Sequence, residues 1–419
     1  MIRHYQYRPA LYQRRRQQLI EQLPEKSLAV VVAHDRMPKS ADQFFPYQPN
    51  PNLFYLTGIE HENVLLLLWK NDEQQEEMLF LPPYDQHKAV WEGDVLTEEE
   101  AVARAGNIQV LPLDHFHRYW YPRAAQAQAT YLEYNQHPRY VPTISHAALR
   151  YAEKIRTDHP ALPIRPLYPL LARMRMIKDE FEIQCIQKAI DIAHQALQYL
   201  VDELPHLKSE YEVEAFLHYN MIKAGADAIA FDTIVASGKN STILHYTKNN
   251  APLTQGELLL VDFGATVHGY CSDITRVISI GNNFSKRQEQ VYKAVWAVQR
   301  QLIERMTPGT TFQELNRWAG QWITEQLLEL GLLSDREVQS NPSAYQRYFM
   351  HGFGHHLGLD VHDAADNSLP LAPNMVITCE PGIYIPEENI GIRLENDILI
   401  TEKGPYDLSI RIPYALNVF

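Results

Sequence analysis

Residues 258–276 read LLLVDFGATVHGYCSDITR, and the rest of the chain is organised around them. Leu258–Asp262 is an apolar run that ends in an acid. Gly269 supplies a turn residue and Tyr270–Val277 returns as a second strand, so the stretch reads as a β-hairpin. Asp262 and Asp273 are eleven residues apart. A turn centred on Val267–His268 sets them directly opposite each other, and a turn on His268–Gly269 makes them diagonal neighbours. In both registers the side chains leave the same face, where facing Cβ atoms lie about 5 Å apart. Val261, Phe263 and Ile274 argue for burial, and like charges so placed are destabilising unless a cation lies between them. The hairpin is therefore expected to form half of a metal site.

The same arithmetic finds the other half. Met375–Tyr384 (MVITCEPGIY) and Gly391–Thr401 (GIRLENDILIT) are strand-like runs joined by Ile385–Asn389. Glu380 and Glu395 are fifteen apart, and a connection centred on Glu387–Glu388 sets them opposite on one face. Arg393, two residues before Glu395, shares that face and is expected to orient a carboxylate. Asp397 continues the alternation and reads as an exposed position. Between the hairpins lies His351–Asp363, HGFGHHLGLDVHD, with four histidines and three glycines to shape a loop. Two Asp, two Glu and one His converging offer hard oxygen donors plus an imidazole, a set that suits two Mn²⁺-like ions bridged by carboxylates. Cys271 and Cys379 alternate away from the acids beside them and read as small core residues.

Composition bounds the rest. At 419 residues the chain is long enough for two or three domains, and 45% hydrophobic content provides ample core. A net charge of −13 argues against a nucleic-acid or anionic-membrane surface. No apolar run approaches a membrane span. Cys185, Cys271 and Cys379 are scattered and odd in number, which fits a reducing compartment and a cytoplasmic location. The N-terminus is too polar for a secretory signal. Its arginine cluster resembles a transit peptide in charge, but Leu11, Leu19, Ile20 and Leu23 fall on one stripe of an amphipathic first helix.

In chain order, residues 1–172 read as an α/β unit. Its strand candidates are Leu28–Val32, Leu53–Thr57, Val64–Trp69, Met78–Leu81 and Thr130–Glu133. Thr97–Glu100 is a capping box opening a helix through Ala105, and Val141–Ile155 reads as another helix. The unit has neither a dinucleotide fingerprint nor a phosphate loop. Trp91 sits in a polar connection, where local packing is expected ahead of the other reading, a loop that reaches a partner subunit. Residues 173–419 begin with a long helical pattern, Asp179–Leu204. Ser209–Glu212 reads as the cap of a second helix, and Phe231–Ser237 as a strand before the turn Gly238–Asn240. Boxes at Ser285 and Thr311 open two more helices. The order, two helices and a hairpin given twice, hints at duplication and defines an α+β unit.

Taken together these residues resemble aminopeptidase P, the Xaa-Pro aminopeptidase family with the pita-bread fold. The matching stretches are Ser40–Gly58, Phe231–Tyr246, Val261–Arg276, Met350–Asp363, Thr378–Tyr384 and Gly391–Ile400. The resemblance implies an aminopeptidase P-type N-terminal domain over 1–172 and a pita-bread catalytic domain over 173–419. It implies that Asp262 holds one Mn²⁺, that Asp273 and Glu395 bridge both ions, and that His355 and Glu380 ligate the second. It implies substrate or supporting roles for His245, His351, His362 and Arg393, with Glu380, His362 and His351 in the chemistry. Adjacent His355 and His356 both qualify by sequence, and the family spacing from His351 and His362 selects His355. The implied substrates are peptides with proline in second position, and the implied assembly is a homodimer or homotetramer. Prolidase is the rival within the hydrolases. A pita-bread binding protein without catalysis is the rival outside them.

Overall fold

The computed structural model describes residues 8–93, 96–134, 144–281 and 283–414. The chain divides into two units between Arg173 and Met174.

The first unit is built on a six-stranded mixed sheet. Its order is Gln109–Pro112, Gln75–Leu81, Leu65–Lys70, Ser27–Val32, Ala129–Leu132 and Ile164–Pro166. The central strand Ser27–Val32 is antiparallel to Leu65–Lys70 and parallel to Ala129–Leu132. Leu28, Val30 and Val32 pack with Phe116, Trp120, Ala152 and Ile155 of two helices. The alternate residues Ala29 and Val31 are equally buried, and the helices Pro9–Gln22 and Pro51–Thr57 contact the same sheet. Burial on both faces explains why these strands are continuous apolar runs.

Three expectations for this unit need correction. Leu53–Thr57 is helical, not extended. Asn50 accepts from the backbone N–H of Asn52 and Leu53, Pro51 opens the first turn, and Gly58 closes the helix in the left-handed region. A short apolar run buried all round carries no period, so caps decide its form. Trp91 is 76% exposed, on a short helix, Gln86–Glu92, that buries none of its residues. The helix expected at Val141–Ile155 spans Ala147–Asp158, and residues 141–143 lie outside the described ones. The arginine cluster is partly interior. Arg16 is fully buried and donates to Leu56 O (2.9 Å) and Ala105 O (2.8 Å), near the ends of two helices, while its Nε meets Glu77 at 2.6 Å. Leu19, Ile20 and Leu23 of the expected stripe are buried with it.

The second unit repeats its element order. Helices Glu180–Glu203 and Glu210–Lys223 precede the first acidic hairpin, and Lys286–Arg305 and Phe312–Glu329 precede the second. Asp179, Ser285 and Thr311 each close a complete capping box. Ser209 does not cap with its side chain. The strand expected from Phe231 begins at Ile234, where pairing with the first hairpin starts. No helix among the described residues is long and apolar enough to cross a membrane.

Each hairpin breaks across two sheets. Leu258–Phe263 pairs with Ile274–Ser279, and the tip strands Ala265–Val267 and Tyr270–Cys271 pair in another sheet. The second hairpin divides in the same way between Val376–Cys379 with Asn396–Thr401, and Gly382–Ile385 with Ile390–Arg393. At the first break, a Cβ on Gly264 would lie 1.9 Å from Ser272 O, so the strands can cross this closely only with glycine there. Gly264→Ala is expected to cost about 2–3 kcal/mol of stability through this clash, read as a lower midpoint in urea, together with weakened metal binding. A variant as stable as the parent would show that the close crossing is not required.

Candidate metal centre and active site

The acids stand at these breaks. Asp262 faces Thr275 in the first hairpin, which makes Asp273 its diagonal neighbour. The turn is therefore on His268–Gly269, both with positive φ (50° and 78°), as a two-residue hairpin turn requires. In the second hairpin the pairs Cys379–Asn396 and Gly382–Arg393 bracket the break, so Glu380 lies across from Glu395. The histidine loop runs beside this hairpin. His355 donates its N–H to Thr378 Oγ1 (3.0 Å) and accepts from Thr378 N (2.8 Å), and Glu380 N donates to Phe353 O (2.8 Å).

These contacts gather the donors. His355 Nε2 lies 3.4 Å from Asp273 Oδ2 and 3.5 Å from Glu380 Oε1. Ligand atoms of Asp273, His355 and Glu395 all lie within 4.8 Å of one another. Arg393 Nη2 donates to Asp262 Oδ2 at 2.7 Å, and its Nε donates to Thr275 Oγ1 at 3.1 Å. Thr275 Oγ1 in turn donates to Glu395 Oε2 at 2.6 Å. His356, the neighbour of equal promise by sequence, is turned away with its ring stacked on Phe312 at 5.1 Å; burial pushes its pKa down to about 3.

The electrostatics of the cluster demand a cation. Burial, then repulsion from Glu395, Asp262, Asp397 and Glu380, raises the pKa of Asp273 well above the usual carboxylate range. Burial and the charges of Glu380 and Asp262 do the same to Glu395. Burial works against the charge of Arg393, and Tyr384, Asp262, Glu395 and Glu380 more than reverse it. One guanidinium does not balance four carboxylates. Asp262 Oδ1 is moreover buried with no hydrogen-bond partner. A buried orphan oxygen among oxygen donors and one imidazole fits hard divalent cations.

His351 and His362, two of the other expected histidines, lie beside the cluster. His351 Nε2 meets Tyr384 Oη at 2.8 Å, and its Nδ1 lies 4.0 Å from Glu380 Oε2; burial lowers its pKa. His362 stacks on His355 with ring centroids 3.9 Å apart. His245 is exposed, and its charge is felt at His351.

Comparison with known proteins agrees with this geometry. Residues 184–402 match the model of Metallopeptidase family M24, and residues 12–131 match Aminopeptidase P, N-terminal domain. The Xaa-Pro aminopeptidase of Escherichia coli K12 is 32% identical over 417 residues, covering 96% of this chain and 94% of that protein. Xaa-Pro aminopeptidase 3 of Homo sapiens is 30% identical, covering 93% of this chain and 79% of that one. The chain belongs to metallopeptidase family M24, in its aminopeptidase P branch. Zinc-substituted E. coli aminopeptidase P in complex with product superposes with a TM-score of 0.88 at 28% identity, covering 98% of this chain and 97% of that chain. Proline aminopeptidase P II from Yersinia pestis gives 0.85 at 30% identity, covering 97% of each. The second unit is a pita-bread metallopeptidase fold, and the protein is a metalloaminopeptidase.

Several supporting residues escape sequence reasoning. Asp397, read as exposed, is fully buried and accepts from Asp273 N at 3.1 Å, because its strand is covered on both faces. Gln299, on helix Lys286–Arg305, donates to Cys379 O (2.9 Å) and Leu394 O (2.8 Å), satisfying both carbonyls at the second break. Arg276 donates to Glu395 O at 2.6 Å. Asp363 ends the histidine loop in a buried pair with Arg175 (2.5 Å) and Lys178 (3.0 Å). Burial works against its charge, yet the two cations outweigh it and hold its pKa down to about 2. Cys271 and Cys379 are buried, and burial raises both thiols.

Asp273 and Glu395 hold protons more tightly folded than unfolded. The metal-free protein therefore loses stability as pH rises above the unfolded value of about 4. Divalent cations bind the ionised acids and offset that loss. The gain in Tm on adding Mn²⁺ after chelation is expected to grow as pH is raised from about 4 towards about 8. A gain that stays flat or shrinks counts against the site.

Proposed function

We propose that this protein is an Xaa-Pro aminopeptidase that uses two divalent ions, Mn²⁺ in the cell, to release the first residue from peptides with proline second. The observation that carries the reading is the convergence of Asp262, Asp273, His355, Glu380 and Glu395 from three separated segments. Asp262, Asp273, His355, Glu380 and Glu395 are the residues that would hold the two ions. In this reading residues 1–172 form the aminopeptidase P-type N-terminal domain and residues 173–419 the catalytic domain. The enzyme works in the cytoplasm as a homodimer or homotetramer, and its three scattered cysteines, Cys185, Cys271 and Cys379, suit that reducing compartment.

Bound divalent cations supply Lewis-acid polarisation of the scissile carbonyl and an attacking water of lowered pKa. The Asp262 end of the site receives the free α-amine, so cleavage is counted from the N-terminus. Glu380, half-buried at the edge of the cluster, takes the proton of the water and passes it to the prolyl nitrogen as the C–N bond breaks. His362 hydrogen-bonds the oxygens of the tetrahedral carbon, with His351 beside it. Proline has no amide N–H, so ring and carbonyl contacts must replace that handle. His245 and the His351–His362 loop form the pocket that seats the ring. Arg393, tied to Asp262 and Thr275, keeps the carboxylates aligned.

Glu380→Gln is expected to keep bound metal, measured by elemental analysis, while lowering kcat by about 10²–10⁴-fold. Near-normal kcat would remove Glu380 from proton transfer. A panel of Xaa-Pro, Xaa-Pro-Yaa and Xaa-Ala-Yaa peptides, run after chelation with and without added Mn²⁺, tests the activity as a whole. Metal-dependent cleavage of Xaa-Pro-Yaa is expected. Strict preference for the dipeptide would make the enzyme a prolidase, and no cleavage in any arm would leave a binding protein.

A further inference from the structure

The first residue of helix Glu210–Lys223 is a glutamate with 0% exposure. Its carboxylate meets five hydrogen-bond donors and no cation among the described residues. Oε1 accepts from Ser237 N (2.7 Å), Ser237 Oγ (2.8 Å) and Asn240 Nδ2 (3.0 Å). Oε2 accepts from Tyr246 Oη (2.8 Å) and Ala251 N (2.8 Å). One oxygen therefore holds the start of the segment 237–251 and the other holds its end. Its middle is seated on the second hairpin, where Gly391 N donates to Ser241 Oγ at 2.9 Å. His245 lies between these anchors, directly before Tyr246. It is exposed and makes no hydrogen bond of its own among the described residues. The backbone that carries it sets the position of its Cα and the direction in which the side chain leaves.

From this geometry we infer that Glu210 is the positioning residue for His245: it clamps both ends of the His245 segment and so sets the fit of the residues that follow the scissile bond. The inference rests on the substrate role given to His245 above. A carboxylate suits the place because Ser237 N, Ala251 N and Asn240 Nδ2 are donors that cannot reverse. An amide there turns an N–H₂ towards one of the two ends and releases it. Glu182, the other buried glutamate at a helix start among the described residues, closes the capping box of its own helix besides accepting from Tyr270 Oη. Glu210 leaves its own helix and is spent on a distant segment, and burial without a cation is tolerable only with that many donors.

The test is a double-mutant cycle on kcat/KM for an Xaa-Pro-Yaa peptide, with bound metal and Tm measured for each variant. Glu210→Gln is expected to lower kcat/KM by about 10- to 100-fold with metal content unchanged. In a His245→Ala background the same change is expected to add less than about twofold, since its target is already gone. Tyr246→Phe removes only the hydroxyl beside His245. It is expected to give a smaller loss that His245→Ala likewise absorbs, and it carries the cycle if Glu210→Gln fails to fold. Losses of equal size in both backgrounds would make Glu210 a structural residue only, and parental activity in both variants would also overturn the inference. If His245→Ala alone keeps parental kcat/KM, the substrate role of His245 falls, and the inference falls with it.

Discussion

Repulsion between carboxylates governs the architecture of the second unit. Asp262, Asp273, Glu380 and Glu395 are brought together where water does not screen them, with the imidazoles of His355 and His351 and the guanidinium of Arg393 as close company. No isolated hairpin would hold two acids on a buried face, because each ionised group loses several kcal/mol of solvation there. The arrangement is stable in service only as part of a cation site. The surrounding structure must also resist the spreading that the charges favour in the absence of ions.

That resistance comes from backbone hydrogen bonding at the breaks in the hairpins. A strand that leaves one sheet for another exposes peptide groups that must be satisfied elsewhere. Gln299 takes two carbonyls at the second break, Arg276 takes the carbonyl of Glu395, and Asp397 takes the N–H of Asp273. The acids thus sit on irregular backbone that these side chains hold in place. The histidine loop is held by a different device, the buried pair of Asp363 with Arg175 and Lys178. Removing one member of such a group leaves an uncompensated charge, so these residues constrain the loop through electrostatics as much as through packing.

Much of the site was legible from residue spacing. Side chains in a strand alternate with a period of two, so odd separations across a tight turn put acids on one face whatever the turn. Parity does not choose between registers, and the left-handed φ of His268 and Gly269 makes that choice. Capping boxes were equally legible because they are local. Residues whose partners lie far along the chain were not. Asp397 alternates with Glu395 and looks exposed until the covering elements are present. Ser209–Glu212 looks like a capping box, but Glu210 is engaged by residues 27 to 41 positions away. Leu53–Thr57 was misread because a fully buried helix and a fully buried strand are both simply apolar.

By itself the sequence determined which acids share a face, because odd separations across a tight turn put their side chains on one side whatever the register. It also determined the helices that begin with their own caps. Only the tertiary structure decided which of two adjacent histidines turns inward, which oxygens lack partners, and which buried charges hold the loops. Those outcomes depend on contacts between segments from 23 residues apart (His355 with Thr378) to 188 (Arg175 with Asp363), and the energy of a buried charge is set by everything around it and not by its neighbours in the chain.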